Sequence, residues 1–325
     1  MSISVAMSRI TEPQINSASP SSGRKFNLPR QKEKVVVVMG ATGTGKSRLS
    51  IDLATLFAAE IINSDKMQVY QGLDIVTNKI TKEEQRGVPH HLLATHNPNS
   101  EFTATDFCES ASLAIQSIRS RDQLPIIVGG SNSYIEALID DDDYKFRSRY
   151  DLCCLWVDVS MPVLHTYVGE RVDEMLENGM VNEVRAFFNP KGDYSRGIRK
   201  AIGVPEFDEY FRKEWLIGDE ERRERLVREA VRQVKENTCK LARRQLGKIQ
   251  RLRNVKRWKI HRIDATPVFR KRGEEADEAW KKMVADPSAM IVAKFLYNFS
   301  TPNVGGGGLR LSSSALQSAI ATVTC

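Results

Sequence analysis

The 325-residue chain is 41% hydrophobic and 27% charged, the balance of an ordinary globular protein with a full core. Its length accommodates one large α/β domain or two small ones. No apolar run approaches the length of a membrane span, which excludes a membrane-embedded class, and a formal net charge of +7 favours anionic partners. Five scattered cysteines without a C-x-x-C pair or zinc spacing indicate reduced thiols in an intracellular compartment.

The first 34 residues are rich in Ser, Asn and Pro and show no hydrophobic periodicity. They contain six basic and two acidic residues and lack the apolar core of a secretory signal. This composition fits either an organelle transit peptide or a plain disordered tail over residues 1–34, and composition alone leaves both open. Residues 301–325, with the run GGGG, are of low complexity and predict a second disordered tail.

The stretch GATGTGKS, residues 40–47, matches the phosphate-binding pattern G-x-x-x-x-G-K-S. Four valines just before it predict a buried strand, and residues 47–57 after it predict a helix. In that order, backbone N–H groups and the helix N-terminus face a phosphate, while Lys46 adds a charge and Ser47 can ligate Mg²⁺. The predicted phosphate-binding residues are Gly40, Thr42, Gly43, Thr44, Gly45, Lys46 and Ser47. The pattern does not say whose phosphates these are, and ATP or GTP is the default.

Strands and helices alternate after this loop. Further strands are predicted over residues 59–65, 124–130 and 152–159, with a helix over 106–120. This alternation predicts an α/β fold with a P-loop NTPase-like parallel sheet flanked by helices. Beyond about residue 160 the strand pattern fades, and helices are predicted over residues 166–188 and 220–253. We expect one P-loop domain over 35–300 with a smaller, mainly helical part at about 160–215.

Asp65 ends the second predicted strand, at the sheet edge that faces the ligand crevice in open α/β folds. A carboxylate there could hold Mg²⁺ through water, or accept a proton from a substrate amine or hydroxyl as a general base. It could also cap a helix or pair with Lys46 or Lys66. Asp158 ends another apolar strand and would suit Mg²⁺ in a kinase, although hydrophobic runs with one Asp are common.

Seven stretches carry a family resemblance by their order along the chain. They are GATGTGKS, SDKMQVYQGLDIVTNK, VPHHLL, FTATDF, VGGSNSYIEALI, IRKAIGVPEF and LARRQ, and they span most of residues 35–245. Together they resemble the isopentenyltransferase family, whose members move a dimethylallyl group from its diphosphate to the N6 amine of an adenine. One branch modifies adenine 37 of tRNA, and a plant branch modifies free adenine nucleotides. The run GGSNSYIEAL, the LGKIQ that follows LARRQ and the lack of a Cys/His zinc module favour the plant branch.

The resemblance implies a dimethylallyl transfer to ADP or ATP, and also to AMP, with release of diphosphate, which is the first step of cytokinin synthesis. It implies Mg²⁺ as cofactor, the donor's diphosphate on the P-loop, and Asp65 as the base for the N6 amine. One of Arg243 and Arg244 is expected at the substrate phosphates, and the sequence does not say which. The expected substrate-binding residues are Ser64, Lys66, Thr103, Ser131, Asn132, Arg243 and Arg244.

Two other functions stay open. Residues 237–262 contain ten Lys or Arg and no Asp or Glu, which would also suit a tRNA adenine-37 dimethylallyltransferase. The P-loop alone would suit a small-molecule kinase or a nucleotide-binding regulator. For the favoured function the partners are dimethylallyl diphosphate and AMP, ADP or ATP, with no nucleic acid, no membrane and a monomeric state. Because members of the family are commonly targeted to plastids, the predicted location is the plastid (chloroplast), with the cytoplasm as alternative.

Overall fold

The computed structural model of the protein describes residues 32–214 and 218–297. Of the two predicted tails, residues 1–31 and 301–325 lie outside the described residues. Within the described ranges, no helix has both the length and the apolar character that a bilayer crossing needs.

Six parallel strands form one sheet. In chain order they are β1 (Glu33–Gly40), β2 (Ala59–Asn63), β3 (His90–His91), β4 (Leu124–Gly129), β5 (Tyr150–Asp158) and β6 (Ile260–Asp264). Their order across the sheet is β3-β2-β4-β1-β5-β6. The α/β class and the four predicted strands are confirmed. The two edge strands were missed because β3 has only two residues and β6, with two buried isoleucines among polar residues, has no continuous apolar run.

Helices cover both faces of the sheet, and further helices follow its last strand along the chain. They are α1 (Lys46–Phe57), α2 (Lys82–Gln85), α3 (Ala104–Arg119), α4 (Asn132–Asp140), α5 (Phe146–Arg149), α6 (Met161–Glu177), α7 (Met180–Phe187), α8 (Asp208–Lys213), α9 (Glu220–Asn254), α10 (Gly273–Trp280) and α11 (Asp286–Tyr297). A π-helical stretch, Lys281–Ala285, joins α10 to α11. The predicted helices are confirmed as α1, α3, α6 with α7, and α9, whereas α2, α4, α5, α8, α10 and α11 were not predicted. Between residues 160 and 215 the chain is mainly helical; that it forms a separate part stays a prediction.

The four consecutive valines of β1 explain why this strand lies at the centre. Val35 and Val37 enter one hydrophobic cluster, and Val36 and Val38 enter a second cluster on the other face of the sheet. All four are fully buried. Because helices cover both faces of a parallel sheet, its central strands are apolar at every position rather than at alternate ones.

The strand order brings three loops together at the carboxyl edge of the sheet. Strand β4 lies between β2 and β1, so the turn after β4 separates the P-loop after β1 from the residues after β2. Parallel α/β sheets bind ligands where such loops converge. The contact between the ends of β2 and β4 is close, because the Ser131 N–H donates to the Ser64 carbonyl at 3.1 Å.

Two glycines give a matched test of this close contact. A Cβ on Gly129, the last residue of β4, would lie 1.9 Å from the Ser64 carbonyl oxygen, whereas one on Gly169 in α6 meets nothing within 4 Å. We expect Gly129→Ala to lower the free energy of unfolding by about 1–3 kcal/mol, because the two strand ends must separate. Gly169→Ala should raise it by roughly 0.5–1 kcal/mol, because alanine favours a helix interior. Urea unfolding followed by circular dichroism measures both, and a Gly129→Ala protein as stable as the wild type would contradict the close contact.

Candidate active site

A cavity of about 730 Å³ opens at the carboxyl edge of the sheet, where the three loops meet. Side chains of α6, α7 and α9 complete its walls. Ten of the predicted site residues line it: Thr42, Gly43, Gly45, Lys46, Ser47, Asp65, Lys66, Ser131, Asn132 and Arg244. The structure therefore brings the P-loop, the candidate base and one of the two arginines into one space.

The P-loop presents backbone donors to this cavity. Gly43 and Gly45 have φ angles of 82° and 86°, a left-handed conformation that glycine adopts without strain. Gly45 is the N-cap of α1 and provides no side-chain cap. The first N–H groups of α1 are therefore left for a ligand, and the helix dipole favours an anion there.

Lys46 adds a charge whose ionisation is perturbed. Its ammonium is half-buried and donates to the Ala41 carbonyl at 2.7 Å. Burial lowers the pKa of Lys46 to about 8; the Asp65 carboxylate opposes this shift and the Arg171 guanidinium adds to it. A phosphate at the loop would supply the negative charge that restores the ammonium form.

Arg171 of α6 is a second cation at the loop, and the sequence analysis did not identify it. It lines the cavity, and its Nη2 donates to the Thr42 hydroxyl at 2.9 Å. Burial lowers the pKa of Arg171, and no carboxylate of the described residues forms an ion pair with it. A partly buried guanidinium that forms no ion pair with a described carboxylate is well suited to a phosphate, which it can bind through two parallel hydrogen bonds.

Asp65 is held in place by the turn that follows β2. Its Oδ1 accepts hydrogen bonds from the Met67 N–H at 2.9 Å and the Gln68 N–H at 3.3 Å. Among the described residues Oδ2 has no hydrogen-bond partner, and the half-buried side chain lines the cavity. One oxygen therefore fixes the carboxylate, as in the capping role considered above, and the other is available to a substrate proton.

Three lysines form a second positive region in the cavity. Burial lowers the pKa of Lys66, the charges of Lys248 and Lys200 lower it further, and Asp65 opposes the shift. All three lysines and Arg244 line the cavity. This region can hold phosphates distinct from those on the P-loop, because the two positive regions are built from different elements.

The basic residues of α9 lie in different surroundings. Arg244 and Lys248 line the cavity, whereas Arg251 pairs with Glu136 of α4. Arg243 is exposed and is not part of the cavity lining. Of the two candidate arginines, the structure therefore favours Arg244 for the phosphate role.

Five predicted site residues do not line the cavity among the residues described, namely Gly40, Thr44, Ser64, Thr103 and Arg243. The Thr44 hydroxyl is buried and donates to the Ala41 carbonyl at 3.0 Å, so it shapes the P-loop from within. Ser64 is fully buried between the strand ends.

Thr103 is the N-cap of α3, not a cavity residue. It forms a capping box with Asp106, in which the Asp106 N–H donates to the Thr103 hydroxyl at 3.2 Å and that hydroxyl donates to the carboxylate at 2.7 Å. This capping geometry occupies the groups that a substrate would need.

Part of the cavity wall is apolar. Its members come from the segment after Asp65, from α6 and α7, and from α9: Met67, Val76, Val172, Met175, Met180, Val234 and Leu241. Such a wall accepts a small hydrocarbon group or the face of a base. The cavity thus combines a phosphate loop, an available carboxylate and an apolar surface.

Ser47 is the residue best placed to contact a metal ion. Its side chain lines the cavity at the start of α1, and its hydroxyl has no hydrogen-bond partner in the described part of the chain. That same part contains no group of three or more His, Cys, Asp or Glu able to hold a metal. A single hydroxyl such as that of Ser47 fits Mg²⁺, which proteins often hold by one or two ligands plus substrate phosphates and water.

Comparisons with known proteins agree with one another. The family model described as IPP transferase matches residues 68–148 and 140–251. Adenylate isopentenyltransferase 3, chloroplastic, of Arabidopsis thaliana is 60% identical over 273 residues, which cover 83% of this chain and 81% of that protein. Adenylate isopentenyltransferase 7, mitochondrial, of the same plant is 55% identical and covers 82% of each chain. The adenylate isopentenyltransferase of Humulus lupulus is 49% identical, covering 80% of this chain and 89% of its own.

Solved structures show the same fold at lower identity. A eukaryotic dimethylallyltransferase acting on tRNA superposes with a TM-score of 0.68 at 25% identity, covering 84% of this chain and 82% of its own. A tRNA isopentenylpyrophosphate transferase from Bacillus halodurans superposes with a TM-score of 0.62 at 26% identity, covering 82% of this chain and all of its own.

The lowered pKa of Lys46 predicts how anion binding depends on pH. Free protein loses the Lys46 proton as pH rises through about 8, and a bound diphosphate favours the protonated form. We expect the affinity for inorganic diphosphate to fall above pH 8, by up to about tenfold per pH unit relative to Lys46→Arg, whose guanidinium stays charged. Isothermal titration calorimetry from pH 6.5 to 9.5 measures this difference. Because diphosphate itself titrates, the two proteins are compared by slope, and identical slopes would contradict the prediction.

Proposed function

This chain belongs to the IPP transferase family, and we propose that it transfers the dimethylallyl group of dimethylallyl diphosphate to the N6 amine of a free adenine nucleotide. It is a transferase, as its relatives named adenylate isopentenyltransferase are. The observation that carries this proposal is the cavity itself, in which the phosphate loop and the Asp65 carboxylate share one space with an apolar wall.

In this proposal the P-loop holds the donor's diphosphate. Negative charge grows on that group as its C–O bond breaks, so donors fixed around it stabilise the transition state more than the ground state. The N–H groups of the loop, the Lys46 ammonium and the Arg171 guanidinium supply this stabilisation. The apolar wall suits the five-carbon chain and keeps water from the reacting carbon.

Asp65 is the proposed general base. The N6 lone pair of adenine is delocalised into the ring, so the amine is a weak nucleophile. As the N6–C1 bond forms and the C1–O bond breaks, one N6 proton passes to Asp65 Oδ2, the oxygen that accepts no hydrogen bond from the described residues. General-base assistance of this kind contributes about 10²–10⁴-fold to rate.

We place the acceptor's phosphates near Lys66, Lys200, Lys248 and Arg244. The charges of Lys248 and Lys200 add to the burial that lowers the pKa of Lys66, and a bound polyanion would stabilise this positive region, which supports ADP and ATP as well as AMP as acceptors. Lys200 also lies 3.5 Å from Glu101, a contact long enough to yield to a phosphate.

Mg²⁺ is proposed as the cofactor. Ser47 would hold it together with oxygens of the donor's diphosphate, and when bound it would neutralise charge on the leaving group. The protein's own residues would keep that group oriented toward the loop.

Transfer to tRNA is the alternative, and one observation favours it: the structural neighbour that superposes with a TM-score of 0.68 acts on tRNA. Identity to that protein is 25%, against 60% to an adenylate isopentenyltransferase, and we therefore propose free nucleotides. The kinase alternative is disfavoured, because Asp158, its expected metal ligand, lies outside the cavity lining. The Asp158 carboxylate accepts a hydrogen bond from the Arg262 guanidinium at 2.7 Å.

We propose the plastid as the location, with the cytoplasm as alternative. Two of the relatives are named chloroplastic and a third mitochondrial, which supports an organelle. Residues 1–31 of the proposed transit peptide lie outside the described part of the chain, whereas Glu33 and Lys34 belong to β1. A monomeric state stays a prediction.

An assay of product mass tests the function and the base together. With Mg²⁺ and dimethylallyl diphosphate, we expect N6-prenylated product from AMP, ADP and ATP and none from unmodified tRNA. Asp65→Asn should lower kcat by about 10²–10⁴-fold while nucleotide binding changes little, because the amide cannot accept the proton. Asp158→Asn is the matched control and should keep near-normal turnover.

A kinase would give the reverse pattern, with Asp158 required, Asp65 dispensable and ATP consumed without prenylated product. Product on tRNA alone would replace the nucleotide proposal with the tRNA alternative.

The neighbouring arginines of α9 give a second matched comparison. We expect Arg244→Ala to raise the KM for a substrate at least tenfold, because a charge-assisted phosphate contact is lost from the cavity. Arg243→Ala should change KM less than twofold, since Arg243 is exposed outside the lining. Steady-state kinetics with donor and acceptor varied in turn shows which phosphates Arg244 contacts. Equal effects of the two changes would remove the assignment.

A further inference from the structure

Gln245 of α9 connects the P-loop to the turn that follows β4. Its Oε1 accepts from the Thr42 N–H at 2.7 Å, and its Nε2 donates to the Gly130 carbonyl at 3.1 Å. The side chain is buried and lines the cavity. Glutamine suits this place because one planar amide provides an acceptor and a donor at once.

The backbone at this position of α9 is tied to the same turn. Asn132 is fully buried, and its Nδ2 donates to the Gln245 carbonyl at 3.2 Å. Gly130 approaches so closely that a Cβ there would lie 2.3 Å from Gln245 Nε2. Side chain and backbone of one residue therefore hold α9 against the turn.

The same turn continues to the candidate base. The Ser131 N–H donates to the Ser64 carbonyl at 3.1 Å, and the Ser131 hydroxyl accepts from the Lys66 N–H at 3.0 Å. Ser64 and Lys66 are the two chain neighbours of Asp65. Hydrogen bonds thus run without a break from the P-loop, through Gln245 and the turn, to the residues on either side of Asp65.

We infer that Gln245 is a positioning residue, which sets the distance between the phosphate loop and the Asp65 carboxylate. This inference rests on the proposed function, in which the leaving diphosphate occupies the loop and the attacking amine lies at Asp65. Prenyl transfer requires the amine, the reacting carbon and the leaving oxygen in line. A displacement of about 1 Å between loop and base lowers the rate by up to about 10²-fold while each substrate still binds.

Three variants and a control test the inference. Gln245→Met keeps the length of the side chain and removes both of its hydrogen bonds. Gly130→Ala introduces a methyl group that displaces the Gln245 amide, and the double variant combines the two changes. Gln233→Met is the control, since Gln233 lies on the same helix outside the cavity lining, and its amide donates to Glu229 at 2.9 Å.

We expect Gln245→Met to lower kcat about 10- to 100-fold with KM for dimethylallyl diphosphate and AMP within about threefold. Gly130→Ala should produce the same pattern. The double variant should be no slower than Gln245→Met, because the hydrogen bonds through which the added methyl group would act are already absent. Gln233→Met should match the wild type.

The inference would be overturned by a normal kcat in Gln245→Met, by a rise in KM with kcat unchanged, or by multiplicative effects in the double variant. Thermal unfolding of each variant separates slow turnover from a loss of folded protein. Hydrogen exchange at the Thr42 amide provides a readout independent of activity and should be at least about tenfold faster in Gln245→Met. If the wild type forms no prenylated product, the proposed function fails, and an unchanged exchange rate at Thr42 would overturn the positioning role as well.

Discussion

Unbalanced positive charge at the P-loop is the constraint on which the site depends. Lys46 and Arg171 both lie partly buried beside the same loop, and burial lowers the pKa of each. Neither forms an ion pair with a carboxylate of the described residues. Holding two desolvated cations together is unfavourable until an anion arrives. The arrangement therefore favours a ligand that carries several negative charges, and a diphosphate that gains charge as it leaves suits it best.

The strand order determines which acidic residues lie near the positive charge of the P-loop. Because β4 lies between β1 and β2, only the turn that follows β4 lies between the P-loop and the segment that carries Asp65. A kinase needs a metal-binding acid close to the loop, yet Asp158 is engaged by Arg262 outside the cavity lining. What the cavity offers is a carboxylate with one oxygen that no described residue contacts by a hydrogen bond, together with an apolar surface, and both suit the proposed prenyl transfer to an amine.

Local patterns in the sequence were sufficient for the fold class, for four of the strands and for part of the site. The valines of β1, the glycine loop and the position of Asp65 at a strand end depend on neighbours in the chain, and they predicted the sheet and its ligand edge. Arg171 and Gln245 depend on packing between distant elements, and in the sequence they resemble ordinary positions of amphipathic helices. The prediction that Thr103 binds substrate was wrong, because this residue of a matching motif caps the helix that follows it. The choice between Arg243 and Arg244 needed the rotation of α9, which periodicity alone does not fix.

A crystal structure with a slowly reacting donor analogue, dimethylallyl thiodiphosphate, together with AMP and Mg²⁺ tests the central claim most directly. The account predicts the analogue's diphosphate on the P-loop within hydrogen-bond distance of Lys46 and Arg171, and the adenine N6 within about 3 Å of Asp65 Oδ2. The phosphate of AMP on the P-loop, with the prenyl diphosphate elsewhere, would contradict it.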